Sequence, residues 1–365
     1  MSVRSVKAAA TLGIKVGNLS PNKEKNGASG NKYKTCEDLD DILDIVGGQG
    51  KFQKRFLYLI LSPLTAMEPL LGLNLLFMLY EPNHWCKVPG RETSGLSLEA
   101  WKNMTIPRES DGDFSKCTMY NENHTAVTCT SGWEYDLKDY DHTIPLDFDW
   151  VCDKSQWATW VLTANALGNA LGTIGLGQAA DKIGRKPVFI ITLVLNIFGR
   201  IASLYVVHSF WAFLLFAVIT GLGFPMIYIA PAMIGAEFSG KEFRAWIYSW
   251  TWMIWVVGMA SLPWIAYLAR DWYIIGLATT IPCALAFICC KWVPESPRWL
   301  LSIGKVDKVA EIIKNIAKIN GTEDKLTDQE LNSMLKQVVI KQDQCDQKLN
   351  VFTLFSKKRL AKNTL

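Results

Sequence analysis

The charges of this chain are distributed very unevenly, and six long apolar windows hold almost none of them. A helix needs about 20 apolar residues to cross a hydrocarbon core about 30 Å thick. The six windows have that length: Phe56–Tyr80, Trp157–Ala179, Pro187–Val207, Phe210–Ala236, Trp246–Ala269 and Trp272–Trp292. Of all residues, 50% are hydrophobic and 20% are charged, which is the wrong mixture for a soluble two-domain enzyme. The sequence therefore predicts an all-α polytopic membrane protein with six transmembrane helices and no enzymatic activity.

The charges between the windows indicate how the chain is threaded. Residues 1–55 carry ten Lys/Arg against six acids and residues 293–365 carry thirteen against nine, whereas residues 81–156 carry seven against fourteen. Because Lys and Arg concentrate in cytoplasmic loops, both termini are expected inside the cell. The predicted segments are a cytoplasmic tail (1–55), a first span (56–80), an extracellular loop (81–156), spans two to six (157–292) and a helical cytoplasmic linker (293–365). The net charge of +4 averages over compartments and indicates no nucleic-acid partner.

The predicted extracellular loop has the composition of a segment from an oxidising compartment. It holds two glycosylation sequons, which begin at Asn103 and Asn123. It also holds four cysteines: Cys86, Cys117, Cys129 and Cys152. An even cysteine count in such a loop indicates disulfides, and four cysteines allow three pairings, among which the sequence does not choose. His84 and His124 lie in the same loop without clustered ligands, so neither a metal site nor a cofactor is expected.

The two basic segments contain helical patterns of their own. Residues 1–35 are rich in Lys, Asn, Gly and Ser, which predicts a disordered tail. An apolar stripe at helical spacing follows, formed by Leu39, Ile42, Leu43 and Val46. It predicts a short amphipathic helix that ends at Gly47 and lies against the inner membrane face. In the linker, a second stripe runs from Val306 to Ile316, and Thr327 and Glu330 form a capping box.

A tight, charged junction separates the second and third windows. The run 181–186 places four charges within six residues, which predicts a hairpin turn at a membrane face. Gly177 and Gly184 allow close backbone approach, and Asp181 is expected near the start of the next helix. The spacing G-x-x-x-D-[RK]-x-G-R-[RK] resembles the cytoplasmic loop between spans two and three of the major facilitator superfamily. The alternative is an ordinary basic loop at a hairpin.

Further motifs narrow the resemblance. The loop 81–156 ends with G-W-x-Y-D and T-I-P-L-D-F-D-W-V-C-D, span four ends with E-F-S-G-K-E-F-R, and P-E-S-P-R-W-L-L follows span six. These runs resemble the organic cation, anion and carnitine transporter family of that superfamily, in its cation/carnitine branch. The resemblance implies a compact disulfide-held cap and the first half of a twelve-span transporter. The stretch 351–360 resembles the run that introduces a seventh span.

The resemblance also implies a set of gating residues at the cytoplasmic ends of the spans. They are Gly177, Asp181, Gly184, Arg185, Lys186, Glu237, Arg244, Glu295 and Arg298. Arg244 is expected to pair with Asp181 or Glu237 and so to stabilise one state of a gate. The alternative is that these cations only anchor the inner membrane face.

Candidate substrate-binding residues come from polar and aromatic positions inside the windows. Glu68 lies between Pro63 and Pro69, and a mid-span carboxylate costs roughly 2.5–3.5 kcal/mol on insertion scales, so it is expected to face a polar path through a broken or kinked helix. Tyr228, Trp252 and Trp255 are expected to form a cation cage with Glu68. Asn165 and Asn169, one turn apart, are the remaining candidates. The alternatives are a hydrogen-bonded or inert Glu68 and lipid-facing aromatic rings.

These residues predict secondary active or facilitative transport of small organic cations or carnitine-like zwitterions by alternating access. Organic anion transport is one alternative, in which Arg200 rather than Glu68 serves the substrate. Arg200 itself is expected to snorkel outward or to pair with a buried carboxylate. The sequence ends at Leu365, before a seventh span would begin. The other alternative is therefore a half-length membrane interaction protein without transport activity. The expected partners are an organic ion, membrane lipid at the plasma membrane and a second six-span half or an oligomeric partner.

Overall fold

The computed structural model describes residues 38–110 and 112–345, and within them the chain is mainly helical. The helices are α1 (Leu39–Ile45), α2 (Lys51–Met78), α3 (Arg91–Ser94), α4 (Leu98–Thr105), α5 (Ile144–Asp147), α6 (Gln156–Ile183), α7 (Arg185–Val206), α8 (Phe210–Glu237), α9 (Lys241–Ala269), α10 (Trp272–Cys289), α11 (Pro297–Ser302), α12 (Val306–Asn320) and α13 (Asp328–Cys345). Two 3₁₀ turns cover Cys152–Lys154 and Glu323–Lys325. The predictions for residues 1–35 and 351–360 lie outside the described residues.

Five helices, α2, α7, α8, α9 and α10, are long and apolar enough to cross a membrane. The remaining predicted span, the second in the chain, corresponds to α6, which has 28 residues and is therefore about 42 Å long. This length suffices for a crossing, but Asn165, Asn169 and Gln178 make the helix less apolar than the other five. The predicted polar strip of the second span thus distinguishes α6 from its neighbours.

The first long helix, α2, is continuous through both of its prolines. A π-helical turn occupies Phe56–Leu61, directly before Pro63, and the helix continues past Pro69 to Met78. The hydroxyl of Ser62 donates a hydrogen bond to the carbonyl oxygen of Leu57, five residues earlier, at 2.8 Å. The expected break is therefore a local change of helical register.

The six long helices pack as two groups of three. In one group, α8 packs against α6 and α7, and in the other, α2 packs against α9 and α10. Gly172 of α6 lies so close to Leu222 of α8 that a Cβ atom there would overlap the Leu222 backbone. Small residues permit such close approach in lipid, where packing replaces the hydrophobic effect between helices. Gly168 and Gly172 of the second span therefore serve helix packing, as expected, whereas a Cβ atom at Gly175 would meet nothing within 4 Å.

A small domain held by two disulfides lies between α2 and α6 in the chain. Strand β1 (His84–Cys86) pairs antiparallel with β4 (Trp133–Tyr135), and β2 (Thr118–Tyr120) pairs antiparallel with β3 (Ala126–Thr128). The disulfides join Cys86 to Cys129 and Cys117 to Cys152, a choice that the sequence left open. His84 lies near the sulfurs of Cys117 and Cys152, but their mutual bond leaves no thiolate for a metal ion.

The disulfide domain is fastened to the turn between α9 and α10. Arg270 forms an ion pair with Asp141 at 3.1 Å and donates hydrogen bonds to the carbonyl oxygens of Leu137 and Lys138 at 2.9 and 3.0 Å. The indole N–H of Trp272 donates to Asp147 at 2.8 Å. These contacts fix the domain on one end of the helical bundle.

The two sequon asparagines have different surroundings in this domain. Asn103 lies in α4, where its amide donates to the carbonyl oxygen of Glu99 at 3.0 Å and accepts from Arg108 at 2.8 Å. Asn123 lies in the exposed turn between β2 and β3. Since glycan acceptors occupy accessible surface loops, the turn suits modification better than the helix. Glycosylation of either residue remains a prediction.

The opposite end of the bundle consists of α1, α11, α12, α13 and the turns at Gly184 and Gly240, and we name it the linker face. The stripe of α1 is buried, as the spacing predicted, but it packs into a core with α12 and α13. Its apolar side chains therefore contact the linker helices, and the location of α1 at the inner membrane face stays a prediction. Thr327 directly precedes α13, and its N–H donates to the Glu330 carboxylate at 3.0 Å, one of the two hydrogen bonds of the predicted capping box.

Asn320, the last residue of α12, joins three parts of the linker face. Its side-chain oxygen accepts from the N–H of Phe52 at 2.8 Å, and its amide donates to the carbonyl oxygens of Val46 and Gly47 at 3.1 and 2.9 Å. The Thr322 hydroxyl also donates to Val46, at 2.8 Å. The linker therefore holds the start of α2 and the end of α1 in place.

Candidate functional site

A cavity of about 220 Å³ lies between α2, α8 and α9. Four of the six predicted substrate residues line it: Glu68, Tyr228, Trp252 and Trp255. Sequence reasoning missed three polar residues on the same walls: Thr65, Tyr248 and Thr251. The missed residues continue the helical spacing of the predicted ones, because Tyr248, Thr251, Trp252 and Trp255 stand at i, i+3, i+4 and i+7. That spacing was the available signal.

Among the described residues that line this cavity, Glu68 is the only one with a carboxylate. Its side chain is buried, with 3% of the residue exposed. Neither of its carboxyl oxygens has a hydrogen-bond partner among the described residues. Buried polar groups are nearly always paired because an unpaired one costs free energy, so an exception calls for an explanation. The hydrogen-bonded, structural alternative for Glu68 has no support here.

The aromatic residues form a continuous row beside this carboxylate. The Tyr228 and Trp252 ring centroids lie 6.3 Å apart, and those of Trp252 and Trp255 lie 5.7 Å apart. Trp252 is 56% exposed, so the row extends from the cavity to the surface of the bundle. The neighbouring Trp250 has a different role, since its indole N–H donates to the Ser62 hydroxyl at 2.8 Å.

The structure does not bring the two asparagines of α6 to this cavity. Asn165 donates a hydrogen bond to the carbonyl oxygen of Ala217 at 3.0 Å and so joins α6 to α8. The Asn169 side-chain oxygen is buried without a hydrogen-bond partner among the described residues, on a helix that does not line the cavity. The two asparagines lie one helical turn apart on α6, as predicted. The packing of α6 on α8 directs Asn165 toward α8 and away from the cavity.

Arg200 also lies away from this cavity. It is 1% exposed, and its Nε atom has no hydrogen-bond partner among the described residues. The ion pairs of the described chain do not include it. Arg200 thus neither snorkels nor pairs with a carboxylate, and both expectations for it were wrong.

The predicted gating residues form two clusters at the linker face, and the first surrounds Glu295. One oxygen of Glu295 accepts hydrogen bonds from the backbone N–H groups of Arg185, Lys186 and Ser296, at 3.0, 3.2 and 2.9 Å. Gly184 has a φ of +109°, and a Cβ atom there would lie 2.5 Å from the other Glu295 oxygen. A carboxylate at the start of α7 also complements the helix dipole. Gly184 is therefore needed both for backbone conformation and for space.

Arg185 connects this cluster to the ends of α6 and α8. Its guanidinium pairs with Asp181 at 3.1 Å and with Glu237 at 3.6 Å. Asp181 lies in the last turn of α6 rather than near the start of α7, because α6 continues to Ile183. Gly177 is half-buried, and a Cβ atom there would make only an ordinary contact, 3.4 Å from Met226. Close approach is thus required at Gly184 and not at Gly177.

The second cluster centres on Asp40 of α1. Its carboxylate accepts hydrogen bonds from both Arg244 and Arg298. Arg244 also donates to the carbonyl oxygen of Ala236 at 3.0 Å. The expected pairing of Arg244 with Asp181 or Glu237 was wrong, because α1 folds back and places the Asp40 carboxylate against Arg244. Asp40 is a residue that sequence reasoning missed, since α1 is distant in the chain from Arg244 at the start of α9 and from Arg298 in α11.

The two arginines also control the charge of Asp40. Burial disfavours its ionised form, but the hydrogen bonds and charges of Arg244 and Arg298 outweigh burial, so the pKa of Asp40 lies below its ordinary value of 3.8. Asp44, one turn later, has a raised pKa because of burial and the neighbouring acids Asp40 and Asp41. The pKa values of two acids on one short helix are therefore shifted in opposite directions, downward for Asp40 and upward for Asp44.

Comparison with known proteins places these features in a family. The sequence model described as "Sugar (and other) transporter" matches residues 104–364. The carcinine transporter of Drosophila melanogaster is 32% identical over 311 residues, 78% of this chain and 46% of that protein. The β-alanine transporter of Drosophila melanogaster is 29% identical over 78% of this chain and 52% of that protein. Organic cation transporter 1 of Caenorhabditis elegans is 29% identical over 90% of this chain and 58% of that protein.

A solved structure agrees with the fold. The proton:xylose symporter XylE bound to 6-bromo-6-deoxy-D-glucose aligns over 84% of this chain and 57% of that chain, with a TM-score of 0.51 and 16% sequence identity. The chain spans about half the length of the curated relatives it matches. The resemblance found in the turn 177–186 and the loop motifs is thus confirmed. This chain belongs to the sugar (and other) transporter family of the major facilitator superfamily, with relatives among the organic cation transporters.

Proposed function

We propose that this chain forms the first six-helix half of a transporter for small organic cations or carnitine-like zwitterions, and that the Glu68 cavity is part of its substrate site. The observation that carries the proposal is the buried carboxylate of Glu68, whose oxygens have no partner among the described residues and which lines a cavity walled by aromatic rings. A cation in the cavity would supply the missing counter-charge. No covalent chemistry is implied.

The geometry favours small cationic groups. The volume of about 220 Å³ is below the roughly 300–1,000 Å³ usual for drug-sized ligands. Aromatic faces attract cations, by about 2 kcal/mol or more when the cation is desolvated, and Tyr228, Trp252 and Trp255 offer three such rings. An ammonium group would therefore gain both charge pairing with Glu68 and contact with the rings. The names of the relatives, for carcinine, β-alanine and organic cations, support amine-containing substrates.

Completion of the pathway requires a second six-span half. Transporters of this kind bind substrate between two helical repeats and alternate access by rocking one against the other. The outer faces of α6 and α9 support such a partner, since they expose large apolar side chains: Leu167, Leu171, Ile174, Met253, Val256 and Val257. The exposed Trp252 lies on the same side of α9, so a second half packed there would close the cavity. We propose that the ion pairs of Arg185 and Asp40 stabilise one state of this movement.

The proposed threading places the disulfide domain outside the cell and both termini in the cytoplasm, at the plasma membrane. Its support is the combination of disulfides and sequons at one end of the bundle with the basic linker face at the other. The proposed segment boundaries are those predicted from the sequence, at residues 55, 80, 156 and 292. They are tested by the accessibility of single introduced cysteines to an impermeant reagent in intact cells.

The anion alternative is less well supported, because Arg200 does not line the cavity and the lining residues within 38–110 and 112–345 include no Lys or Arg. The interaction-protein alternative shares the exposed faces of α6 and α9 with the main proposal. It would have the chain associate with a full-length relative without moving substrate. Uptake and association therefore have to be measured separately.

The decisive experiment measures uptake of a labelled quaternary amine by cells that express this chain alone, or with a complementary second half. Glu68→Gln should lower uptake at least about tenfold, since it removes the counter-charge, while surface expression stays unchanged. Glu330→Gln, in the linker, is the matched control and should transport normally. Normal uptake by Glu68→Gln would remove Glu68 from the site. Association without any uptake would favour the interaction protein.

A further inference from the structure

A second cavity lies at the linker face, outside the proposed substrate path. Its volume is about 540 Å³, more than twice that of the Glu68 cavity. One wall is the turn between α6 and α7, with Ile183 and Pro187, and the opposite wall is the first half of α12. Trp299 of α11 lies between them, and its indole N–H donates to the carbonyl oxygen of Asp181 at 2.9 Å.

This cavity lies where the spanning helices end. The apolar span α7 begins at Arg185, directly beside the wall residues Ile183 and Pro187. Ile183 is 46% exposed at this level. A large exposed apolar side chain beside a span end fits contact with lipid. The cavity thus opens at the height at which phospholipid headgroups and the first acyl carbons lie.

Its walls combine apolar and basic groups. Leu300 and Ile312 continue the apolar surface of Ile183, while Lys305 and Lys308 stand on the α12 wall. Lys182 and Lys186 flank the opposite wall in the sequence. The ion pairs at this face use Arg185, Arg244, Arg298 and Lys314. Among the described residues, no carboxylate lies within 4.0 Å of the lining residues Lys305 and Lys308, and none lies that close to Lys182 or Lys186.

The two acids of the cavity do not offset this charge equally. Glu295 is committed, since one of its oxygens accepts three backbone N–H groups. Glu311 is exposed on α12 and makes no ion pair within 4.0 Å among the described residues. Two ammonium groups therefore line the cavity, those of Lys305 and Lys308, and Glu311 is the carboxylate there without such contacts. Lys182 and Lys186 are sequence neighbours of the wall residues Ile183 and Pro187.

We propose that this cavity binds the phosphorylated headgroup of an anionic phospholipid from the cytosolic leaflet. The phosphate lies against Lys305 and Lys308 at the start of α12, and the acyl chains leave over Ile183. Basic pockets at the cytosolic ends of membrane helices attract anionic headgroups in this way. The proposal uses the proposed threading but not the substrate site, so a transport defect and a lipid-binding defect are separable.

The test is native mass spectrometry of the full chain, released from nanodiscs of phosphatidylcholine with a minor fraction of phosphatidylinositol bisphosphate. The double variant Lys305→Ala/Lys308→Ala should bind the anionic lipid about 10- to 30-fold more weakly. Lys314→Ala/Lys318→Ala removes the same charge from the same helix outside the cavity, and it should bind normally. Equal losses in both double variants, or a loss in neither, would overturn the proposal.

A second arm distinguishes a lipid from a soluble phosphate. Ile183→Gln keeps every charge and should weaken binding of the lipid but not of inositol hexakisphosphate. If the soluble phosphate binds as tightly as the lipid and Ile183→Gln changes neither, the cavity serves a soluble anion and the proposed lipid is wrong. Thermal unfolding of each variant without ligand shows that it is folded, since all substituted side chains are exposed or at the cavity surface.

Discussion

Glu68 and Asp40 are equally buried carboxylates with opposite surroundings. Glu68 is 3% exposed and Asp40 2%. Asp40 is bound by two guanidinium groups, whereas Glu68 has no partner among the described residues. Burying a charge is costly unless it is paired, so the two sites cannot serve the same purpose. The comparison indicates that the Asp40 cluster contributes to stability, while the Glu68 site gives up stability to keep a carboxylate available.

The largest expected effect comes from removing the paired acid. Asp40→Asn leaves Arg244 and Arg298 side by side without a counter-charge and should lower the free energy of unfolding by about 2–3 kcal/mol, since both arginines are partly exposed. Thermal unfolding in detergent measures it. Asp44→Asn is the matched control on the same helix and should be neutral or slightly stabilising, because the pKa of Asp44 is raised. A similar loss of stability in both variants would show that α1 is sensitive to any substitution, and would contradict a specific stabilising role of Asp40.

The next effect separates the contributions of the two arginines. Arg298→Gln should cost about 1–2 kcal/mol, and Arg244→Gln a comparable amount, since each leaves Asp40 one partner. The double variant Asp40→Asn/Arg298→Gln should cost less free energy of unfolding than the sum of its two single variants, because both substitutions remove the same network. Strict additivity in this double-mutant cycle would contradict the pairing of Asp40 with the two arginines.

Glu68→Gln should change stability in the opposite direction. The amide has the shape of the carboxyl group, and the carboxyl oxygens of Glu68 have no partner to lose among the described residues. The free energy of unfolding should therefore stay constant or rise by up to about 1 kcal/mol, even though uptake falls. Unfolding of the purified variant by heat is the measurement. A loss of stability as large as that of Asp40→Asn would mean that Glu68 is a structural residue. The two buried carboxylates would then not differ in purpose.

The smallest effect concerns an exposed pair. The pKa of His142 is raised, mainly by its hydrogen bond to Asp147 at 2.9 Å, and Asp271 and Asp141 add to the effect. A raised pKa means that the contribution is full below the ordinary value of 6.5 and is lost as pH rises through the folded-state value. Because the pair is exposed, the loss should be only a few tenths of a kcal/mol.

The measurement is the melting temperature between pH 6 and 8, roughly the range in which His titrates. The wild type should lose slightly more stability than His142→Gln over this range. An identical pH profile for both would show that the hydrogen bond to Asp147 adds nothing, and that the Arg270 and Trp272 contacts hold the disulfide domain without it.

Local patterns in the sequence determined the helices and the family. The apolar windows, the stripe of α1 and the turn at Gly184 depend on neighbouring residues only, because helical periodicity and turn conformation are local properties. Trp252 and Trp255 were paired correctly for the same reason, since three residues separate them on one helix. The windows also predicted the positions of the long helices, five of which are long and apolar enough to cross a membrane.

Contacts between distant segments were decided only by the tertiary structure. The choice of Cys86–Cys129 and Cys117–Cys152 among three pairings depends on the register of four short strands, which no local pattern fixes. Asp40 binds Arg244 across 204 positions of the chain and Arg298 across 258. The packing of α6 on α8 likewise directed Asn165 to a backbone carbonyl, away from the cavity. A sequence fixes which side chains share a helix face, but which face meets which depends on the packing of all the helices together.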